Sequence, residues 1–232
     1  MKLINRAFSY FTAGELVLWG TSVTLIAVSF IIFDKENILT LAASLLGVTS
    51  LIFCAKGNPA GQVLMVAFSI MYGIISYDFR YYGEMATYLG MTAPMAVLAL
   101  ISWLRNPYGG DRSQVKVNRL RLPEIVFMAV LTAAVTGVFY FILSEFGTAN
   151  LLPSTLSVTT SFAAVYLTFR RSPYFALLYA MNDAVLIVLW VLAARENTSY
   201  MSVVICFVMF LANDIYGFIS WRRMEKRQSR GE

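Results

Sequence analysis

Two Asn-Asp pairs, Asn182-Asp183 and Asn213-Asp214, interrupt apolar runs in the C-terminal part of this 232-residue chain. Residues 176–181 before the first pair and 208–212 before the second read as lipid-compatible helix. A carboxylate at membrane depth costs about 2.5–3.5 kcal/mol to insert, so such a side chain usually has a function. Carboxylates neutralise cations, and amides bond hydroxyl and carboxamide groups. The same groups also tie helix to helix, at about 0.6–2 kcal/mol per contact, and both uses stand open for each pair. Tyr179, Leu186 and Trp190 share a helical stripe with Asn182 and Asp183, at spacings of three or four. Tyr216 and Gly217 follow the second pair. In the N-terminal half, Gln62 leads a segment in which Ser69, Tyr72 and Ser76 share a face, and Tyr88 lies on the next segment with Glu84, Thr87 and Thr92. The candidate binding residues are therefore Asn182, Asp183, Tyr179, Trp190, Asn213, Asp214, Tyr216, Ser69, Tyr72, Gln62 and Tyr88.

Other chemistries are missing. The chain has no histidine, which removes Ser-His and Cys-His catalysis, histidine metal sites and histidine proton relays. It has no Walker loop, GxSxG or HExxH motif. The two cysteines, Cys54 and Cys206, lie in apolar segments and read as packing residues. No catalytic residue, metal or cofactor is expected.

The polar candidates must be held by membrane helices. The chain is 59% hydrophobic and only 13% charged, against about 25% charged in soluble domains. Segments of about 20 apolar residues can cross a bilayer. Eight are read, over residues 14–33, 37–56, 61–79, 83–104, 123–144, 150–169, 173–194 and 199–221. No small-residue cleavage site follows the first apolar stretch, so the first helix is expected to be retained. The stretch 105–122 reads as a plain polar loop.

Of the 18 Lys and Arg residues, only Lys35, Arg80 and Arg195 fall on one side of the alternating spans. The positive-inside rule then predicts both termini in the cytoplasm and explains the net charge of +5 without nucleic acid. Trp103 and Trp221 close their spans and read as members of an interfacial aromatic belt. Pro94 falls mid-span, where it frees a carbonyl and bends the helix.

A repeat is visible. Ile101-Ser102-Trp103 recurs as Ile219-Ser220-Trp221, and Lys56-Gly57-Asn58-Pro59 aligns with Arg170-Arg171-Ser172-Pro173. Residues 37–104 and 150–221 would form two parallel three-helix repeats. The helix 123–144 inverts the chain between them, and one extra helix precedes the first. An alternative grouping of spans one to three with five to seven has the same offset. Such repeats build small transporters with a substrate site at the repeat interface near midplane. The whole chain, 1–232, is read as a single all-α membrane domain. On this alignment Phe68-Ser69 and Met95-Ala96 stand where the C-terminal repeat has its Asn-Asp pairs, so an asymmetric pocket is expected.

Residues 80–94 with 102–107, 170–190, and 213–218 with the following Ser-Trp resemble the PnuC-type nicotinamide riboside transporters of bacteria. The likeness covers about residues 15–224. It implies facilitated diffusion of a pyridine nucleoside across the bacterial cytoplasmic membrane, with direction set by phosphorylation inside. It further implies a fold similar to the SWEET sugar transporters and an assembly that can be a homotrimer. Its sister groups carry thiamine or riboflavin. Relatives often open the penultimate helix with tryptophans, where this chain has Tyr174 and Phe175. Nicotinamide riboside has a fixed pyridinium charge, a carboxamide and ribose hydroxyls. Aromatic faces, carboxylates and amides would complement it, with Asn182 and Asn213 facing each other across the path. The rival readings are a thiamine transporter and a membrane scaffold or receptor subunit.

Overall fold

The computed structural model describes residues 10–78, 82–148 and 150–231. Lys2, Arg6 and Arg80, counted above for orientation, lie outside the described residues, as does the side chain of Glu84. Eight helices among the described residues are long and apolar enough to cross a membrane. The first three spans are Ala13–Phe33, Ile38–Ala55 and Ala60–Asp78. The fourth is Tyr82–Thr87, a π-helical turn Tyr88–Thr92, then Ala93–Leu104. Leu122–Glu145, Leu151–Phe169 and Phe175–Ala194 are the fifth to seventh, and Met201–Arg230 is the eighth. The eighth continues past Trp221 into a polar tail.

Local chemistry sets the ends. Thr12 caps the first span, accepting from the Glu15 amide at 3.3 Å, while Glu15 takes the Thr12 amide at 2.7 Å. The π turn ends against Pro94. Proline has no N–H to give, and the ladder widens just before it, with the Ala93 amide reaching back to the Tyr88 carbonyl.

The turns after the second and sixth spans are built alike. Gly57 and Arg171 have φ of +68° and +56°. Each donates its N–H three residues back, Gly57 to Cys54 and Arg171 to Thr168. The next residue, Asn58 or Ser172, donates to Phe53 or Leu167. This is the Schellman pattern, with a left-handed residue just past the helix end. The carbonyls of Cys54 and Thr168 each receive a second donor, and the donors cross between halves. Trp221 Nε1 reaches Cys54 O at 2.7 Å, and Trp103 Nε1 reaches Thr168 O at 2.9 Å.

Two expectations change here. Trp103 and Trp221 are 1% and 0% exposed, and their rings meet at 5.3 Å. They are core residues rather than an interfacial belt, because each indole N–H finds a buried carbonyl. The segment 105–122 is not a plain loop either. Pro107–Tyr108 (β1) pairs antiparallel with Asp111–Val115 (β2). Asp111 accepts both the amide and the hydroxyl of Ser113, which holds its carboxyl below the ordinary range. Beyond β2 the chain straps the basic end of the bundle. The Val115 amide donates to Gly57 O and the Asn118 amide to Arg171 O, one bond to each of the two matching turns. Gln228 on the eighth helix bonds the backbone of Val115 and Val117. Val115 itself is fully buried with Trp103, Trp221 and Phe175.

The fifth span is peripheral and buries only Thr132 and Leu143. The central packing is made by the second, third, seventh and eighth spans, through Val48, Phe68, Leu186 and Phe210.

Candidate functional site

The polar candidates fall into layers along the bundle. At the end opposite the strap, a cavity of about 690 Å³ opens between the first turn of the second span and the ends of the third and seventh. Tyr72, Trp190 and Tyr200 line it with Thr40, Ser76 and Asn197, and Asp34, Lys35 and Glu36 form part of its wall. The rings of Trp190 and Tyr200 lie 5.4 Å apart.

Beneath it the rings close up. Tyr72 and Tyr88 meet at 4.5 Å, and Phe68 stands 6.0 Å from both Tyr88 and Phe210. Gly47 is needed here, because a Cβ on it would sit 2.5 Å from the Phe210 ring.

Below the rings, one turn on from Leu186 and Phe210, Asp183 meets Asp214. Their carboxyl groups adjoin, and the residues are 4% and 5% exposed. Asp183 Oδ2 receives no N–H or O–H donor among the described residues. Tyr179 and Cys54 lie near Asp214, and Cys206, beside Ser44, lies near Asp183. Gln62 donates to the Cys54 sulfur at 3.2 Å. No Lys or Arg lies inside a span, since those of the eighth helix begin at Arg222. Two acids in contact, neither ion-paired among the described residues, make a place for a positive charge to be brought from outside.

Under the acids, Phe175 packs on Trp221 at 4.9 Å and on Trp103 at 6.4 Å, and Val115 seals the layer. At the strapped end, Glu15 accepts from Lys56 at 3.0 Å and from the Tyr216 hydroxyl at 2.8 Å.

With this arrangement in view, the chain can be set beside known proteins. The sequence model described as nicotinamide mononucleotide transporter matches residues 37–223. This chain belongs to that family. It is a multi-pass membrane transporter, not an enzyme. A nicotinamide riboside transporter PnuC from Neisseria mucosa is 25% identical over 85% of this chain and 77% of its own length. One from Haemophilus influenzae is 21% identical over 98% of this chain and 99% of its own. A crystal structure of the vitamin B3 transporter PnuC matches with a TM-score of 0.80, 24% identity and 94% coverage of each chain. The last shows that the fold is shared.

Within this family fold, the candidate residues divide. Tyr72 and Trp190 line the open cavity, with Tyr88 behind Tyr72. Asp183, Asp214, Tyr179 and Gln62 gather around the acid pair. Ser69 bonds back to Met65 O at 2.8 Å and is fully buried. Asn182 accepts from Ser157 at 3.0 Å and from Thr160 at 2.9 Å, both on the sixth span. Asn213 donates to Ser22 of the first span at 2.9 Å. The expectation that the two asparagines face each other is therefore corrected: they anchor to opposite neighbours, and the aspartates meet instead. Consecutive residues on a helix point about 100° apart, so an Asn-Asp pair cannot put both side chains on one line. Tyr216 is taken by Glu15 rather than by the acid layer. Ser44, Tyr200, Asp34 and Glu36 did not stand out in the sequence, and Cys206 read there as a packing residue only. Thr40 and Ser44 at i and i+4 were the available signal for the second span. Nothing in the pattern of the turn 34–37 marked it as a cavity wall.

Proposed function

We propose that this chain carries nicotinamide riboside across the bacterial cytoplasmic membrane by facilitated diffusion. The observation that carries the reading is the contact between Asp183 and Asp214, buried with no Lys or Arg in any span. A fixed pyridinium cation fits such a layer. A phosphate-bearing nucleotide is repelled by it, which favours the riboside over the mononucleotide of the family's description. Both named relatives, described as nicotinamide riboside transporters, point the same way. The two halves, 37–104 and 150–221, act as parallel repeats, a grouping supported by the matching turns and crossed indole bonds. The strapped end carries most of the Lys and Arg and faces the cytoplasm, with both termini there. Phosphorylation inside traps the cargo. The assembly is a homotrimer, for which the unburied face of the fifth span leaves room.

The test is uptake of labelled nicotinamide riboside into proteoliposomes without an ion gradient. Filling to equilibration, blocked by excess riboside and not by the mononucleotide, is expected. A strict need for sodium or protons overturns uniport. Stronger competition by thiamine than by the riboside overturns the cargo assignment.

A further inference from the structure

The open cavity has recognition chemistry of its own, and the acid pair does not share it. Trp190 and Tyr200 form one aromatic wall, with ring centroids 5.4 Å apart, and Tyr72 contributes another ring. Thr40 and Ser76 supply hydroxyl groups, and Asn197 an amide whose Oδ1 is already held by the Ser199 amide at 3.0 Å. Asp34 and Glu36 outnumber Lys35 on the wall. Neither acid is ion-paired among the described residues, and Asp34 is held in place by Asn37 at 2.9 and 3.1 Å. A volume of about 690 Å³ suits a nucleoside-sized guest. Between this cavity and the acids stand the rings of Phe68, Tyr72, Tyr88 and Phe210, joined by contacts of 4.5–6.0 Å, with Phe210 reached through Phe68. A guest in the cavity cannot touch Asp183 or Asp214 while these rings are closed.

We propose that the cavity is a separate first binding site for a cationic aromatic nucleoside, and that the Phe68–Tyr72–Tyr88–Phe210 layer is the barrier between it and the acid pair. Aromatic faces hold the pyridinium ring, the hydroxyl and amide groups hold the ribose, and the acidic wall draws the cation in. This rests on the reading that the cargo is a pyridinium nucleoside.

Two measurements on the full chain test it. The first uses 1-methylnicotinamide, a pyridinium without ribose, as a quencher of tryptophan fluorescence. Trp190 is the only tryptophan on the cavity wall. A saturable quench is expected that survives in the Asp183→Asn, Asp214→Asn double variant and disappears in Trp190→Phe. A quench lost with the acids, or kept without Trp190, overturns the separate site. The second measures KM for uptake in proteoliposomes at low salt. Lys35→Glu lowers KM for the riboside, and Asp34→Asn with Glu36→Gln raises it, each by about two- to tenfold. The reduced riboside, whose dihydropyridine ring is neutral, shows neither shift. An equal response of the neutral analogue overturns the cation site. If the unaltered protein neither binds nor carries any pyridinium, the cargo reading itself falls and this site with it.

Discussion

Asp183 and Asp214 touch, while Asn182 and Asn213 look away from them into the sixth and first spans. Substitution separates the two kinds of work. Asp183→Asn or Asp214→Asn removes a carboxyl of the proposed cation layer and keeps its size. Binding of nicotinamide riboside should weaken on the order of tenfold to a hundredfold, the loss expected for a charged partner in a dry site. Unfolding in detergent should change little. Asn182→Ala removes the acceptor of Ser157 and Thr160 and should lower stability by about 1 kcal/mol. Its effect on affinity should be smaller than that of either aspartate. Affinity titrations beside denaturant curves decide it. If Asn182→Ala lowers affinity more than Asp183→Asn does, the asparagine is the recognition group. The sequence showed where ionisable groups enter the membrane, because charge in an apolar run is visible without structure. Which member of each pair faces inward was not visible. That depends on the rotation of each helix, and the stripe through Tyr179, Asn182, Asp183 and Trp190 is too broad to fix it.

The elements that hold this layer are two turns and two tryptophans. Gly57 and Arg171 end the second and sixth spans in the same left-handed conformation, and the Cys54 and Thr168 carbonyls just before them take the indoles of Trp221 and Trp103. Each bond runs from one half of the chain to the other, so the tryptophans join the halves reciprocally. Trp103→Phe and Trp221→Phe keep a ring and remove the donor, and each should cost about 1 kcal/mol. Because the two rings are in contact at 5.3 Å, the double variant should depart from the sum of the singles by at least about 0.5 kcal/mol. A double-mutant cycle in denaturant measures that coupling, and strict additivity would mean that the two bonds act independently. The likeness of the two Ile-Ser-Trp helix ends and of the two Pro-containing turns was legible because turn chemistry is local. The burial of the indoles was not legible. Tryptophan at a helix end looks the same in sequence whether it meets lipid headgroups or a strap arriving from residues 111–118.

At the scale of the whole molecule, the strapped and open ends differ in charge and in the size of their cavities. At the strapped end Val115 seals Trp103 and Trp221, Glu15 joins Lys56 to Tyr216, and Arg119 and Arg222 pair with Glu225 at 2.9 and 2.6 Å. The open end has the large cavity and an acidic wall. The wider cavity, about 690 Å³, lies at the acidic end, and a second of about 530 Å³, lined by Glu15, Lys56 and Tyr216, lies at the end where Lys and Arg concentrate. If the basic end faces the cytoplasm, the wider cavity is the one that meets cargo from outside. Orientation can be tested directly. Both native cysteines are buried, at 3% and 4% exposure, so a membrane-impermeant maleimide has little background. A cysteine replacing Lys35 should react in right-side-out vesicles, and pyridinium riboside in the cavity should slow that reaction. A cysteine replacing Arg112, exposed on the strap side, should react only after the vesicles are opened. Reversal of the two patterns would place the strap outside the cell and turn the wider cavity toward the cytoplasm.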